Sequence, residues 1–214
     1  PGRVEVLGNH TDYNEGFVLS AAINMGTCFL AAPSADSACR VVAGDLMKEV
    51  AFDVASRARG AGQNWSNYVK GVSVKLHERH GAETGFLGMF LGNLPLGAGL
   101  SSSAALEMSS GLALASLYGI EVEKLDLARI GQAAEHEYAG VKCGLLDQVS
   151  SLFGREKQLV MTDFRTLEPE NVPLGEDACF LMCNTNVKHS LVDSEYNERR
   201  AKCEESARFF ESVL

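Results

Sequence analysis

The sequence predicts an α+β fold, and three observations carry that prediction. Short β-branched and aromatic runs crowd the first quarter of the chain, helical spacing takes over only from Trp65 onward, and the regular strand–helix alternation of a doubly wound sheet is absent. No internal repeat and no low-complexity stretch interrupts this order.

Taken in order, Phe17–Leu19, Gly26–Ala31, Arg40–Val42 and Val50–Val54 read as strands, separated by Pro33, Gly44 and clusters of Asp and Ser. From Trp65 to His80 the spacing of Tyr68, Val69, Val72 and Leu76 predicts a helix. The continuous apolar run Phe86–Gly92 predicts a strand buried on both faces, ended by Asn93-Leu94-Pro95. Ala104, Ala105, Met108, Leu112, Ala115 and Tyr118 recur at helical spacing up to Gly119, a C-cap candidate. A second helix is expected from Lys124 to Tyr138. Gln158–Thr162 and Ala178–Met182 read as strands, and a charged amphipathic helix is expected from Ser194 to the end.

The 214 residues suffice for one large domain, or one domain and the start of a second. No segment approaches the roughly 20 uncharged apolar residues of a membrane helix. With 19 Lys and Arg against 28 Asp and Glu, the chain carries −9 and has no basic tract, which argues against a nucleic-acid partner. A bound phosphate must therefore be held locally, against the field of the whole molecule. Six cysteines without a CxxC pair read as reduced core thiols of a cytoplasmic protein, Cys179 and Cys183 included. The chain opens at Pro1-Gly2-Arg3 directly into dense motif, as a piece of a longer polypeptide would.

One segment combines features that bind anions. Gly97, Ala98 and Gly99 form a turn that lets backbone approach a ligand closely, and Leu100, Ser101, Ser102 and Ser103 lead into a helix whose first N–H groups are unpaired. The serine hydroxyls can donate to phosphate or ligate Mg²⁺. No GxxxxGK[ST] loop occurs. Taken alone, such a segment is more commonly a glycine turn followed by a serine N-cap.

Pro95-Leu96-Gly97-Ala98-Gly99-Leu100-Ser101-Ser102-Ser103-Ala104 closely resembles the ATP-binding motif of the GHMP kinases. Within that family the chain resembles the galactokinases: Pro1 to Gly16, Trp65 to Val72, Cys143 to Gln148 and Ser194 to Arg200 match their motifs in order and spacing. The resemblance implies a two-domain GHMP-kinase fold with an N-terminal domain like domain 2 of ribosomal protein S5. It places that domain at 1–175 and the beginning of a C-terminal domain at 176–214. It further implies phosphorylation of D-galactose at its anomeric hydroxyl by ATP with Mg²⁺.

Carried over residue by residue, Asp147 matches the catalytic base and Arg3 the group that stabilises transferring charge. Ser103 and Glu135 match the Mg²⁺ ligands, Trp65 lines the adenine pocket and Gly97 to Ser103 hold the phosphates. Asn9, His10, Thr11, Asp12, Gly144 and Tyr196 fall where galactokinases contact the sugar. Two positions depart from the pattern: Asn9 replaces a glutamate and Glu5 replaces an asparagine. These departures leave open another sugar, such as N-acetylgalactosamine, arabinose or a uronic acid, and the resemblance also extends to non-catalytic sugar sensors. A small-molecule sugar and ATP are the expected partners, with a monomer favoured.

Overall fold

A computed structural model describes residues 1–60, 65–81, 85–184 and 195–213. Among the described residues there are two four-stranded sheets and a layer of helices. The first sheet contains β1 (Arg3–Leu7), β2 (Phe17–Ala22), β7 (Gln158–Asp163) and β8 (Glu168–Pro173) in that order, all antiparallel. The second runs β3 (Thr27–Pro33), β6 (Phe86–Gly92), β4 (Ala38–Ala43), β5 (Lys48–Asp53), and only its β4–β6 pair is parallel. The α+β reading is correct.

The helices among the described residues follow from equally local causes. The α1 helix (Ser66–His80) ends at Gly81, and α2 (Ser102–Tyr118) ends at Gly119, both glycines in the left-handed region. At the end of α2 the Gly119 and Ile120 N–H groups return to Ser116 and Ala115 carbonyls, closing a Schellman motif. The α3 helix (Lys124–Ala134) widens into a π turn over Glu135–Ala139, where the Gly140 N–H reaches back 2.7 Å to the Glu135 carbonyl. Such turns put one extra residue into a helix and re-aim the side chains beside it. The short α4 (Leu146–Phe153) carries Asp147 in its first turn, and α5 (Glu195–Val213) follows.

Two apolar clusters share α2. Phe29, Val41, Phe86 and Phe90 of the second sheet pack on Val69, Val72 and Leu76 of α1 and on Leu106 and Leu114 of α2. Val18 and Val160 of the first sheet pack on Leu127, Val149, Leu152 and Met108. Because α2 is apolar nearly all round, it contributes side chains to both clusters.

Several expectations need correction. β6 alternates: Phe86, Gly88 and Phe90 are buried while Leu87, Met89 and Leu91 face outward, so the apolar run concealed a one-sided strand. Ala178–Met182 is not a strand, for no strand lies beside it among the described residues to share its hydrogen bonds, and Leu181 is 88% exposed. Cys179 and Cys183 are consequently exposed, as is Cys28, so only Cys39 and Cys143 are core thiols, although all six are unpaired. The predicted helix start at Ser194 lies outside the described residues.

Candidate active site

The turn before α2 is bent by Gly97 and Gly99, both at φ +72°. Ser101 itself is left-handed at φ 58°, makes no side-chain cap, and keeps a buried hydroxyl oxygen without a partner. That decides against the simple serine cap: the first N–H groups of α2 are left for something else. Gly97, Gly99, Leu100, Ser101, Ser102 and Ser103 line a cleft together with Arg3 and Asp147. Ala98 is part of the turn but does not line the cleft.

Arg3 ties this loop to α4. Its Nε donates to Asp147 Oδ1 at 2.8 Å, its Nη2 lies 2.7 Å from the same oxygen, and its Nη1 donates to the Gly99 carbonyl at 2.8 Å. The Arg3 N–H also meets the Leu100 carbonyl at 3.2 Å. One guanidinium thus fixes the spacing between a carboxylate and an anion-binding turn.

On one side of Ser103 lies a small polar cavity of about 110 Å³, lined by Arg3, Glu5, Asn9, His10, Asp12, Ser103, Glu135, Cys143, Gly144, Asp147 and Tyr196 among others. Arg3 and Glu5 are two apart on β1 and share a face, which brings Glu5 into the same cavity as Asn9. Burial, reinforced by the Asp147 charge, raises the Asp12 carboxyl to about 6. A Cβ at Gly144 would overlap the Asp12 carboxylate, so any larger residue there would displace Asp12 from its present place. Tyr196 Oη accepts from the Gly144 N–H at 3.4 Å, and its ring packs with His10 and Tyr13. Thr11 does not line the cavity: its Oγ1 lies 2.6 Å from the Gly8 carbonyl and 2.8 Å from that of Phe17, folding the loop that presents His10 and Asp12.

Glu135 opens the π turn and is 4% exposed. Burial pushes its carboxyl up to about 7, against hydrogen bonds from Cys143 and Ser103 that favour the charged form. On the other side of Ser103 is a cavity of about 410 Å³ with a mainly apolar lining: Trp65, Tyr68, Phe90, Leu94, Leu96 and Leu106, with Thr27, Asp45, Ser102 and Ser103. Trp65 packs edge-on against Phe90, ring centres 5.2 Å apart.

Sequence reasoning missed the groups that steady this site. The Cys143 carbonyl accepts from Gln132 Nε2, His136 Nε2 and Arg200 Nη1, at 3.2, 2.8 and 3.1 Å. Asn197 bonds the Lys142 N–H and the Gly140 carbonyl, so α5 is pinned on the turn preceding Gly144. Asn197 and Arg200 lie in the Ser194–Arg200 motif, which gave them no role of their own, and for Gln132 and His136 the spacing of four residues is only a weak signal.

Residues 67–155 match the family of the GHMP kinases N terminal domain, and residues 1–33 the galactokinase galactose-binding signature. The chain is 42% identical over 211 residues to a galactokinase of Haemophilus influenzae (strain PittEE), covering 98% of itself and 55% of that relative. Among solved structures it resembles Lactococcus lactis galactokinase complexed with galactose, at TM-score 0.91 and 35% identity, over 100% of this chain and 56% of the other. Mevalonate kinase of Methanococcus jannaschii shares the fold at TM-score 0.65 and 18% identity, over 80% of this chain and 54% of the other. The chain spans about half the length of the galactokinases it matches. The chain thus carries a GHMP kinases N terminal domain behind a galactokinase galactose-binding signature.

Proposed function

We propose that this chain is the N-terminal part of a galactokinase, which transfers the γ-phosphoryl group of ATP to the anomeric hydroxyl of D-galactose. The observation that carries this reading is the Arg3 bridge between Asp147 and the Gly99 turn, because it sets a base beside a phosphate cradle at the junction of two cavities. The sugar occupies the polar cavity through Asn9, His10, Asp12, Gly144 and Tyr196, with Thr11 shaping the loop. The adenine enters the apolar cavity beside Trp65, and the phosphates lie along Gly97–Ser103.

Asp147 takes the proton of the anomeric hydroxyl as its oxygen bonds the γ-phosphorus, while the bond to the ADP oxygen breaks. Arg3 neutralises charge developing on the transferring group. Ser103 and Glu135 suit Mg²⁺: both offer hard oxygen, and a buried carboxylate raised to about 7 beside Asp147 is charge that a divalent cation offsets. Among the described residues no cluster of three or more acidic, His or Cys groups could hold a metal, so phosphate oxygens and water would fill the other positions. When bound, the ion supplies Lewis-acid polarisation of phosphoryl oxygens.

Glu5 and Asn9 lining one cavity supports galactose as acceptor, since the cavity retains one carboxylate and one amide at these two positions. The exposed, irregular stretch 174–184 before α5 fits the division at 175/176 between two domains, and the unpaired thiols fit a cytoplasmic setting. The test is a steady-state panel of hexoses, pentoses, N-acetylgalactosamine and uronic acids with the full-length protein and ATP. Galactose is expected to give the highest kcat/KM. Equal rates with its epimers would overturn the sugar, and no phosphorylation of any sugar would overturn the kinase.

A further inference from the structure

Beside Asp147, and lining neither cavity, Gln148 of α4 meets Glu107 of α2, both fully buried. Gln148 Nε2 donates to Glu107 Oε2 at 3.0 Å. The remaining oxygen of each group, Glu107 Oε1 and Gln148 Oε1, is buried without a partner. As an ionised carboxylate Glu107 has no proton to offer, and the charges that act on it, Glu135 on the π turn and Asp147 on α4, are negative. Burial and these neighbours together push its carboxyl well above the usual range. One proton on Glu107 Oε1 answers both unmatched atoms: the acid O–H donates to Gln148 Oε1 while the amide N–H donates to Glu107 Oε2.

We propose that Glu107 and Gln148 form a reciprocal acid–amide clamp that locks the helix bearing Asp147 against the helix that opens at the phosphate turn. Glu107 lies one turn inside α2 from Ser103, and Gln148 directly follows Asp147, so the clamp sets the base relative to the cradle from behind while Arg3 does so from the front. The α3 helix closes over the pair through Gly131, where a Cβ would come within 3.1 Å of both Glu107 Oε2 and Gln148 Cγ. Glu107 and Gln148 are positioning residues: they act through Asp147 and touch no substrate.

The kinetic arm rests on the kinase reading above, and the spectroscopic arm does not. On the full-length protein at neutral pH, the infrared difference between wild type and Glu107→Gln should show the carbonyl band of a protonated carboxylic acid, lost in the variant. Carboxylate bands in its place would overturn the clamp. Glu107→Gln retains a reciprocal amide pair and should keep kcat within about twofold, whereas Gln148→Met and Glu107→Leu should lower kcat about 10- to 100-fold, with KM for sugar and ATP nearly unchanged. Wild-type kcat in Gln148→Met, or Glu107→Gln as impaired as Gln148→Met, would overturn it. Should Glu107→Leu fail to fold, the contrast between the other two variants decides the kinetics. Should the wild type phosphorylate no sugar, the kinase reading falls and the infrared spectrum still decides the clamp.

Discussion

The two cavities that meet at Ser103 recognise by opposite means. The small one gathers Glu5, Asp12, Glu135 and Asp147 around a single guanidinium, so whatever enters must answer several partly desolvated charges with hydrogen bonds. The large one offers Trp65, Tyr68, Phe90 and leucines, and holds its guest by shape and burial. A site built on hydrogen bonds rejects a mismatched ligand steeply, because its own buried groups are left unpaired, whereas an apolar pocket discriminates gently. Losses should therefore be abrupt on the polar side and graded on the apolar side.

The largest expected effect is Asp147→Asn. The amide keeps the shape but cannot accept the hydroxyl proton, so kcat should fall on the order of 10³-fold while galactose binding, measured by calorimetry, persists. Full turnover in this variant would remove Asp147 as the base.

Next come Glu5 and Asn9. Replacing Glu5 with Asn should lower kcat/KM for galactose roughly 10- to 100-fold, the worth of one charged hydrogen bond. The exchange Glu5→Asn with Asn9→Glu restores the number of carboxylates and should recover most of that loss. If the double exchange is no better than the single change, the two positions do not share the sugar.

How much of this was legible in the sequence differs between the two sides. The turn, Arg3 and Asp147 lie in contiguous motifs, and the strands with β-branched runs were readable from composition. Glu5 was harder: its place in the cavity follows from the period of two along β1, and β1 was read as a motif rather than as a strand. β8 escaped because Pro169 and Pro173 disguise it, tolerable only because it forms the edge of its sheet. The π turn that aims Glu135 breaks the 3.6-residue period on which a helix is recognised, so the reading of one helix to Tyr138 was right in direction and wrong in geometry. The apolar cavity is assembled from α1, β3, β6 and the turn before α2, segments that no local pattern connects.

On that apolar side, Trp65→Ala should raise the nucleotide KM about fivefold and leave kcat within about twofold, since stacking area is lost but no reacting group moves. A drop in kcat matching that of Asp147→Asn would show that the two cavities are not separable in this way.

The smallest effect is a stability slope that belongs to the polar cavity. Asp12 sits at about 6 in the folded protein against 3.8 when exposed, chiefly through burial and then through Asp147. Between pH of about 4 and 6 the folded state therefore holds more protons than the unfolded one, so stability falls as pH rises through this window. The full shift would correspond to about 3 kcal/mol, but a part-exposed carboxyl in a cavity open to water is screened, and a contribution on the order of 1 kcal/mol is expected. Glu107 and Glu135 are raised as well and add slopes of the same sign, so the wild type should lose stability across the window and Asp12→Asn should lose only less. Urea unfolding at pH 4.5 and 6.5 reads the difference. An unchanged slope in Asp12→Asn would mean that Asp12 is solvated like a surface acid, and the contrast with the apolar cavity would then rest on Arg3, Glu5, Glu135 and Asp147 without it.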